Sequence, residues 1–230
     1  KLGRTDVLTD ISNAVTLPDP EVRMAALGML GRLRRPASLS ILSQAVYDPH
    51  PAVRAFAAGA LGEFGSTDGI APLTHALSDE NPRVRSVAAS SIGRLGATET
   101  RSVVQPLLRD PDEHVRISAV EALLRLGDAS AVLNAADLAR HPDPSVRGGA
   151  AHALAAATTP NALTVLESLL RDQQPLPRLM AARALGKLQQ KSLISPLKTG
   201  LQDSDPTVRI ASAGSLIHIL SRKDKQGSAR

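Results

Sequence analysis

The residues best suited to bind a metal or move a proton are six histidines: His50, His75, His114, His141, His152 and His218. No two of them stand three or four residues apart, the spacing that lets one helix face present two ligands. Asp110, Asp112 and Glu113 could form an acidic metal loop, but they fall at the turn and helix-start positions of a recurring pattern, where acidic side chains serve the backbone. Cysteine is absent, which removes disulfides, thiolate metal sites and a cysteine nucleophile. Met24, Met29 and Met180 read as packing residues. The glycines fall at helix ends rather than in a phosphate loop, and no nucleophile–base pair is readable. The sequence therefore predicts no catalytic residue, no metal and no cofactor.

The regular feature is a series of arginines. Arg23, Arg54, Arg85, Arg116, Arg147, Arg178 and Arg209 recur every 31 residues without insertion or deletion. The residue before each is Val22, Val53, Val84, Val115, Val146, Pro177 or Val208. Three before stands Pro20, Pro51, Pro82, Glu113, Pro144, Pro175 or Pro206. Seven after comes Leu30, Leu61, Ile92, Leu123, Leu154, Leu185 or Leu216. The chain is seven copies of one repeat. The charged series reads as structural. An acidic residue lies six positions before most of the arginines (Asp48, Asp79, Asp110, Asp172, Asp203), and such pairs are expected to tie the turns of adjacent repeats together. Leu17 and His141 replace it in repeats 1 and 5, so the tie is expected to be weaker there.

Each repeat reads as two helices. The second begins with a polar N-cap (Asp19, Asn81, Asp143, Asp205) and proline at the first helical position, where a missing N–H costs nothing. In repeat 2, Val53, Ala57, Leu61 and Phe64 fall at helical spacing and form the expected buried stripe. Gly65, Gly96 and Gly127 are placed to end their helices in the left-handed conformation. Ile70, Leu73, Ala76 and Leu77 mark the first helix of repeat 3, and Leu163, Leu166, Leu169 and Leu170 that of repeat 6. Two short helices cannot bury their apolar faces alone, so the pairs must stack. Ala57, Ala88, Ala119, Ala150 and Ala181 are small enough to permit close approach. The expected fold is all-α, a right-handed α-solenoid of seven 31-residue helix pairs. Repeat 5, with Gly148, Gly149 and no terminal glycine, is expected to be the least stable and a place to bend.

Asp79-Glu80-Asn81-Pro82-Arg83-Val84-Arg85, followed by Ala88-Ala89 and Ile92-Gly93, resembles the HEAT-like repeats named after the phycobilisome lyases. The resemblance runs over nearly the whole chain. It implies the solenoid fold strongly and a function only broadly, because such repeats act as scaffolds in unrelated proteins. Deoxyhypusine hydroxylases are similar repeat proteins that hold iron through His-Glu pairs. Here the histidines are followed by Pro51, Ala76, Val115, Pro142, Ala153 and Ile219, so no such pair exists. HEAT-like DNA glycosylases are expected to use aromatic residues around the lesion, whereas this sequence holds two Phe, one Tyr and no Trp. Bilin lyases have repeats much like these, and a lyase-like subunit acting on a chromophore-bearing protein stays an alternative.

In such a solenoid the second helices line the concave face. Their exposed columns vary from repeat to repeat while the framework columns do not. These columns supply the expected partner-binding residues: Arg32, Phe56, Glu63, Val87, Arg94, Glu121, Arg125, Met180, Arg183 and Lys187. Phe56 is the one aromatic among them and the expected anchor. Small apolar residues flanked by charge suit a peptide or helix with apolar anchors and some acidic residues. The expected function is a non-enzymatic protein-interaction scaffold. Nucleic-acid binding through the basic residues is the main alternative, weakened by Glu63 and Glu121 in the same columns and by the scarcity of aromatics for base stacking.

The net charge is +5, but residues 222–230 carry +3 of it, leaving the body nearly neutral. The expected organisation is a single array over 1–221 and a flexible basic tail over 222–230. Leu2 and Gly3 align with Leu95 and Gly96, so a further repeat is expected before residue 1. The Arg-rich, Ala-rich composition hints at a bacterial source. No apolar run is long enough to span a membrane. A cytoplasmic monomer, or one with weak end-to-end association, is expected.

Overall fold

The computed structural model of the chain describes residues 4–227, with side chains over 8–221. The expected repeat before residue 1, read from Leu2 and Gly3, lies outside the described residues. Among those residues every regular element is helical. The helices are grouped in two compact units, Lys1–Leu126 and Gly127–Arg230.

The first unit holds four helix pairs. These are α1 (Arg4–Ala14) with α2 (Pro20–Leu33), α3 (Pro36–Ala45) with α4 (Pro51–Phe64), and α5 (Ile70–Ala76) with α6 (Pro82–Leu95), then α7 (Arg101–Val104) with α8 (Glu113–Arg125). Pro106 follows α7, and the chain continues as a 3₁₀ helix over Gln105–Arg109, as a residue without an N–H favours. The second unit holds α9 (Ala131–Leu138) with α10 (Pro144–Leu154), α11 (Pro160–Leu169) with α12 (Pro175–Leu188), and α13 (Ile194–Gly200) with α14 (Pro206–Gly227). Second helices stack in chain order within each unit: α2 on α4, α4 on α6, α6 on α8, and then α10 on α12 and α12 on α14. The segment expected as a tail from 222 continues the backbone of α14 to Gly227, and 228–230 lie outside the described residues.

Local chemistry sets the helix starts. Asp19, Asn81, Asp112, Asp143 and Asp205 accept the N–H two residues on, and proline opens all these helices but α8. Gly65 and Gly96 close α4 and α6 at φ +80° and +70°. The equivalent residues after α2 and α12 are Arg34 and Gln189, held at φ +47° and +53°, a conformation that costs a residue with a Cβ of the order of 1 kcal/mol. Each reaches the next repeat: Arg34 Nη2 donates to Glu63 O at 3.1 Å, and the Gln189 amide meets His218 Nε2. Val53, Ala57 and Leu61 are fully buried, as are Ala88, Ala119, Ala150 and Ala181. Phe64 is only half-buried.

The arginines take one geometry. Nη1 donates back to two carbonyls of the arginine's own inter-helix turn, as in Arg54 to Asp48 O (3.0 Å) and Pro49 O (3.2 Å). Nε and Nη2 grip the aspartate 25 residues on, which lies in the turn of the next repeat. Arg23–Asp48, Arg54–Asp79, Arg85–Asp110, Arg147–Asp172 and Arg178–Asp203 all close at 2.7–2.8 Å. The aspartate Oδ1 also accepts the N–H two residues further, as Asp110 does from Asp112 at 2.9 Å. Burial pushes the Asp48, Asp79 and Asp110 carboxyls up, but the arginine bond and that N–H outweigh it, leaving all three below the ordinary range. At Asp172 and Asp203 the arginine bond dominates and the direction is the same. Arg116 keeps the bonds to its own turn and pairs with Glu113 in its own helix at 3.4 Å.

Second helices also approach closely at glycines eight residues after the arginine. A Cβ on Gly62 would lie 2.6 Å from Ser91 Cβ, one on Gly93 2.6 Å from Ala122 Cα, and one on Gly186 2.5 Å from Ser215 Cβ. These positions bring backbone against the next helix, and only glycine fits without displacement. Gly148, read as a weakness of α10, faces Leu176 and Met180 at 3.4 Å from its own would-be Cβ and so makes room for them.

Four outcomes follow from this packing. Arg85→Gln leaves Asp110 half-buried and unpaired and is expected to cost about 3 kcal/mol, read by urea unfolding. The paired aspartates titrate lower when folded, so below about pH 5 the unfolded chain binds more protons. Their contribution is complete at pH 7 and is lost as pH falls through the folded values. The urea midpoint should therefore drop steeply below about pH 4, and less steeply in Asp110→Asn. Gly93→Ala should destabilise by about 1–2 kcal/mol, the overpacking cost less the gain in helix propensity. Gly214→Ala, with nothing within 4 Å, should instead raise the melting temperature.

Candidate functional site

On the second-helix face of the first unit, a groove of about 530 Å³ runs between α2 and α4. Gly28 and Gly59 form part of its lining. The Phe56 ring lies over Gly28, its Cζ 3.3 Å from where a Cβ would be. A side chain at 28 would lift the ring, so glycine there lets the aromatic settle across two repeats while leaving it 39 % exposed. Arg32 and Glu63 occupy equivalent positions on α2 and α4 and both line the groove. Both are exposed, and neither side chain makes a hydrogen bond or ion pair among the described residues. Val87 is half-buried and approaches Gly59, 3.6 Å from its would-be Cβ.

The other predicted residues are committed differently. Arg94 Nη2 donates to Ser91 Oγ at 3.0 Å. Glu121 and Arg125 pair with each other along α8 at 2.8 Å, which offsets the charge of Arg125 in place. In the second unit Met180 is half-buried against Gly148, and Arg183 and Lys187 are exposed. The structure thus brings Arg32, Phe56 and Glu63 into one groove, with Val87 beside it. Met180, Arg183 and Lys187 belong to the second unit. Sequence reasoning does not single out Gly28 and Arg34, which line the same groove. Gly28 shares its column with Gly59, and Arg34 stands where Gly65 stands one repeat later. Both signals are present at the 31-residue interval.

Among the described residues no group of three or more His, Cys, Asp or Glu side chains is arranged to hold a metal ion. Nor, among the same residues, is any helix long and apolar enough to cross a membrane.

Helix pairs stacked in register, with their second helices forming one face in each unit, define an α-solenoid. The profile of HEAT repeats matches residues 40–122, 101–178 and 168–227, and the chain belongs to the HEAT repeat family. A comparison with curated protein sequences finds no match. Among solved structures, the complex of CpcE and CpcF of phycocyanin lyase from Nostoc sp. PCC7120 is similar in fold, with 21 % identity and a TM-score of 0.66 over 95 % of this chain and 97 % of that one. The Escherichia coli protein YibA is similar at 16 % identity and a TM-score of 0.57, over 94 % and 97 %. An engineered protein aligns at 21 % identity and a TM-score of 0.51, over 80 % and 98 %. At these identities the likeness is one of fold.

Proposed function

We propose that the chain is a non-enzymatic protein-interaction scaffold that binds a peptide or helix on its second-helix face, centred on the α2–α4 groove. The observation that carries this reading is Phe56. It is a large ring lying over Gly28 and left partly in water, between an arginine and a glutamate whose side chains pair with none of the described residues. Aromatic anchors of this kind dominate binding energy where a partner covers them. An apolar side chain would close over the ring, an acidic residue would meet Arg32, and a basic residue would meet Glu63. Adjacent packed helices lie ~8–10 Å apart. In an extended ligand crossing both helices, the acidic and basic residues would therefore stand about three apart. Basic residues suited to a nucleic acid are less available, because Arg94 and Arg125 are engaged on their own helices.

The test is capture from the source lysate, with a photo-crosslinking residue at position 59, which lines the groove, to map the contact. The wild-type chain is compared with Phe56→Ala/Arg32→Glu and with Arg183→Glu/Lys187→Glu, each shown to be folded by circular dichroism. A protein cross-linked at the groove should be lost with the first variant and kept with the second. Capture abolished by nuclease would replace this reading with nucleic-acid binding. Equal capture by all three chains would remove the groove from consideration.

A further inference from the structure

Charge is distributed differently over the second helices of the two units. Those of the first unit carry Glu21, Glu63, Glu113 and Glu121 beside their basic residues. Those of the second unit, α10, α12 and α14 as far as Ser221, carry no aspartate or glutamate. Up to that residue the acidic side chains of the unit stand in its turns and on its first helices, as Asp172, Asp203 and Glu167 do. Arg147 and Arg178 are engaged by Asp172 and Asp203. Arg183 and Lys187 are not. Both are exposed, about one turn apart on α12, and neither side chain makes a hydrogen bond or ion pair among the described residues. His152 is exposed too. It holds on α10 the column that Arg183 holds on α12 and adds an N–H donor.

Earlier on α12, Leu176 and Met180 lean over Gly148 of α10. Each has a side-chain carbon 3.4 Å from where a Cβ on that glycine would lie, and Leu176 stays 41 % exposed. Leu176, Met180, Arg183 and Lys187 are separated by four, three and four residues, which places them in one stripe along α12. The stripe passes from apolar to cationic over about 16 Å.

We propose that this stripe docks an amphipathic helix of a partner protein, one whose apolar residues cover Leu176 and Met180 and whose carboxylates meet Arg183 and Lys187. A helix is the occupant because its own four-three-four spacing matches the stripe residue for residue. Antiparallel packing opposes the two helix dipoles and puts the partner's carboxylates in its first turns, where negative charge is favoured. From its N-terminus the partner's face then carries an acidic residue, a second four residues on, an apolar residue three after that and another four later. A nucleic acid fits this face less well. Tyr47, Phe56 and Phe64, the aromatic residues of the chain, all lie in the first unit, so no ring is present here to stack on a base.

The probe is a fluorescein-labelled, helix-stapled peptide with glutamate at its first and fifth positions, leucine at its eighth and twelfth, and alanine and glutamine elsewhere. Fluorescence anisotropy with the full-length chain should show saturable binding at roughly 100 µM or tighter, weakened as salt rises from about 50 to 300 mM. Arg183→Glu/Lys187→Glu should lose at least about tenfold in affinity. The same variant should gain binding to a twin peptide with lysine in place of both glutamates, which the wild-type chain leaves unbound. That exchange of preference cannot arise from a chain that is merely damaged. No binding by the folded wild-type chain overturns the proposal, as does binding indifferent to the reversed charges. Loss of the peptide from the Phe56→Ala/Arg32→Glu chain would place it in the α2–α4 groove and overturn this site. A single-stranded DNA oligonucleotide that binds Arg183 and Lys187 more tightly than the peptide would overturn the helix as the occupant.

Discussion

One guanidinium–carboxylate contact, repeated five times, organises the junctions between repeats that have it. The arginine near the start of a second helix points one nitrogen back at its own turn and two forward at the next. The aspartate it meets holds the following backbone N–H with the same oxygen that accepts from Nη2. Arg85, for example, bonds Asp79 O and Glu80 O behind it and Asp110 ahead, and Asp110 Oδ1 in turn holds the N–H of Asp112. The geometry of one turn is thus transmitted to the next through a rigid planar group. Surface ion pairs contribute little to stability. These are shielded on both sides, and each partner satisfies backbone groups that would otherwise be left unpaired.

The departures show which parts of the device are separable. At position 141 the ring Nδ1 of His141 accepts the N–H of Asp143 at 3.1 Å, because a backbone N–H can only donate. The turn is kept, while the negative charge is gone. Arg116, 25 residues earlier, uses Glu113 of its own helix instead. Turn formation and charge pairing are therefore two functions that aspartate combines and histidine splits. The close-approach column behaves likewise. Glycine at 31, 62, 93 and 186 costs each helix about 1 kcal/mol of intrinsic stability, which denser packing offsets. Leu124, Ala155 and Ile217 decline that arrangement at the remaining repeats.

Most of the framework can be read from the chain because it is local and periodic. Proline after a polar cap, arginine three residues later and leucine seven beyond each have a short-range reason to be where they are, and a period without gaps makes each copy confirm the others. The direction of the arginine tie is only half visible. The aspartate six residues before each arginine stands out in the sequence, yet that arginine bonds the aspartate's carbonyl, and its guanidinium edge goes to the carboxylate 25 residues ahead. The glycines at 62, 93 and 186 are hidden among helix-end glycines, since nothing in one sequence separates a left-handed cap from a close approach except position within the repeat. At the groove, the exposed columns point to residues but not to their state. Whether Arg94 turns to Ser91, or Arg125 to Glu121, depends on rotamers and neighbours that spacing does not determine.

A framework that satisfies itself leaves its remaining columns without structural duty. The column two residues after the arginine holds Ala25, Phe56, Val87, Ser118, Gly149, Met180 and Ala211, a range of volumes no shared packing requirement would tolerate. Nine after it, charge varies from Arg32 to Glu63 to Ala156 with the same helix geometry beneath. Framework and variable residues thus occupy different faces of one helix. A residue such as Phe56 gains part of its burial from Gly28 of the preceding repeat and leaves the rest in water. An aromatic ring kept half-covered between two exposed charges would give up its remaining wet area to anything that bound there.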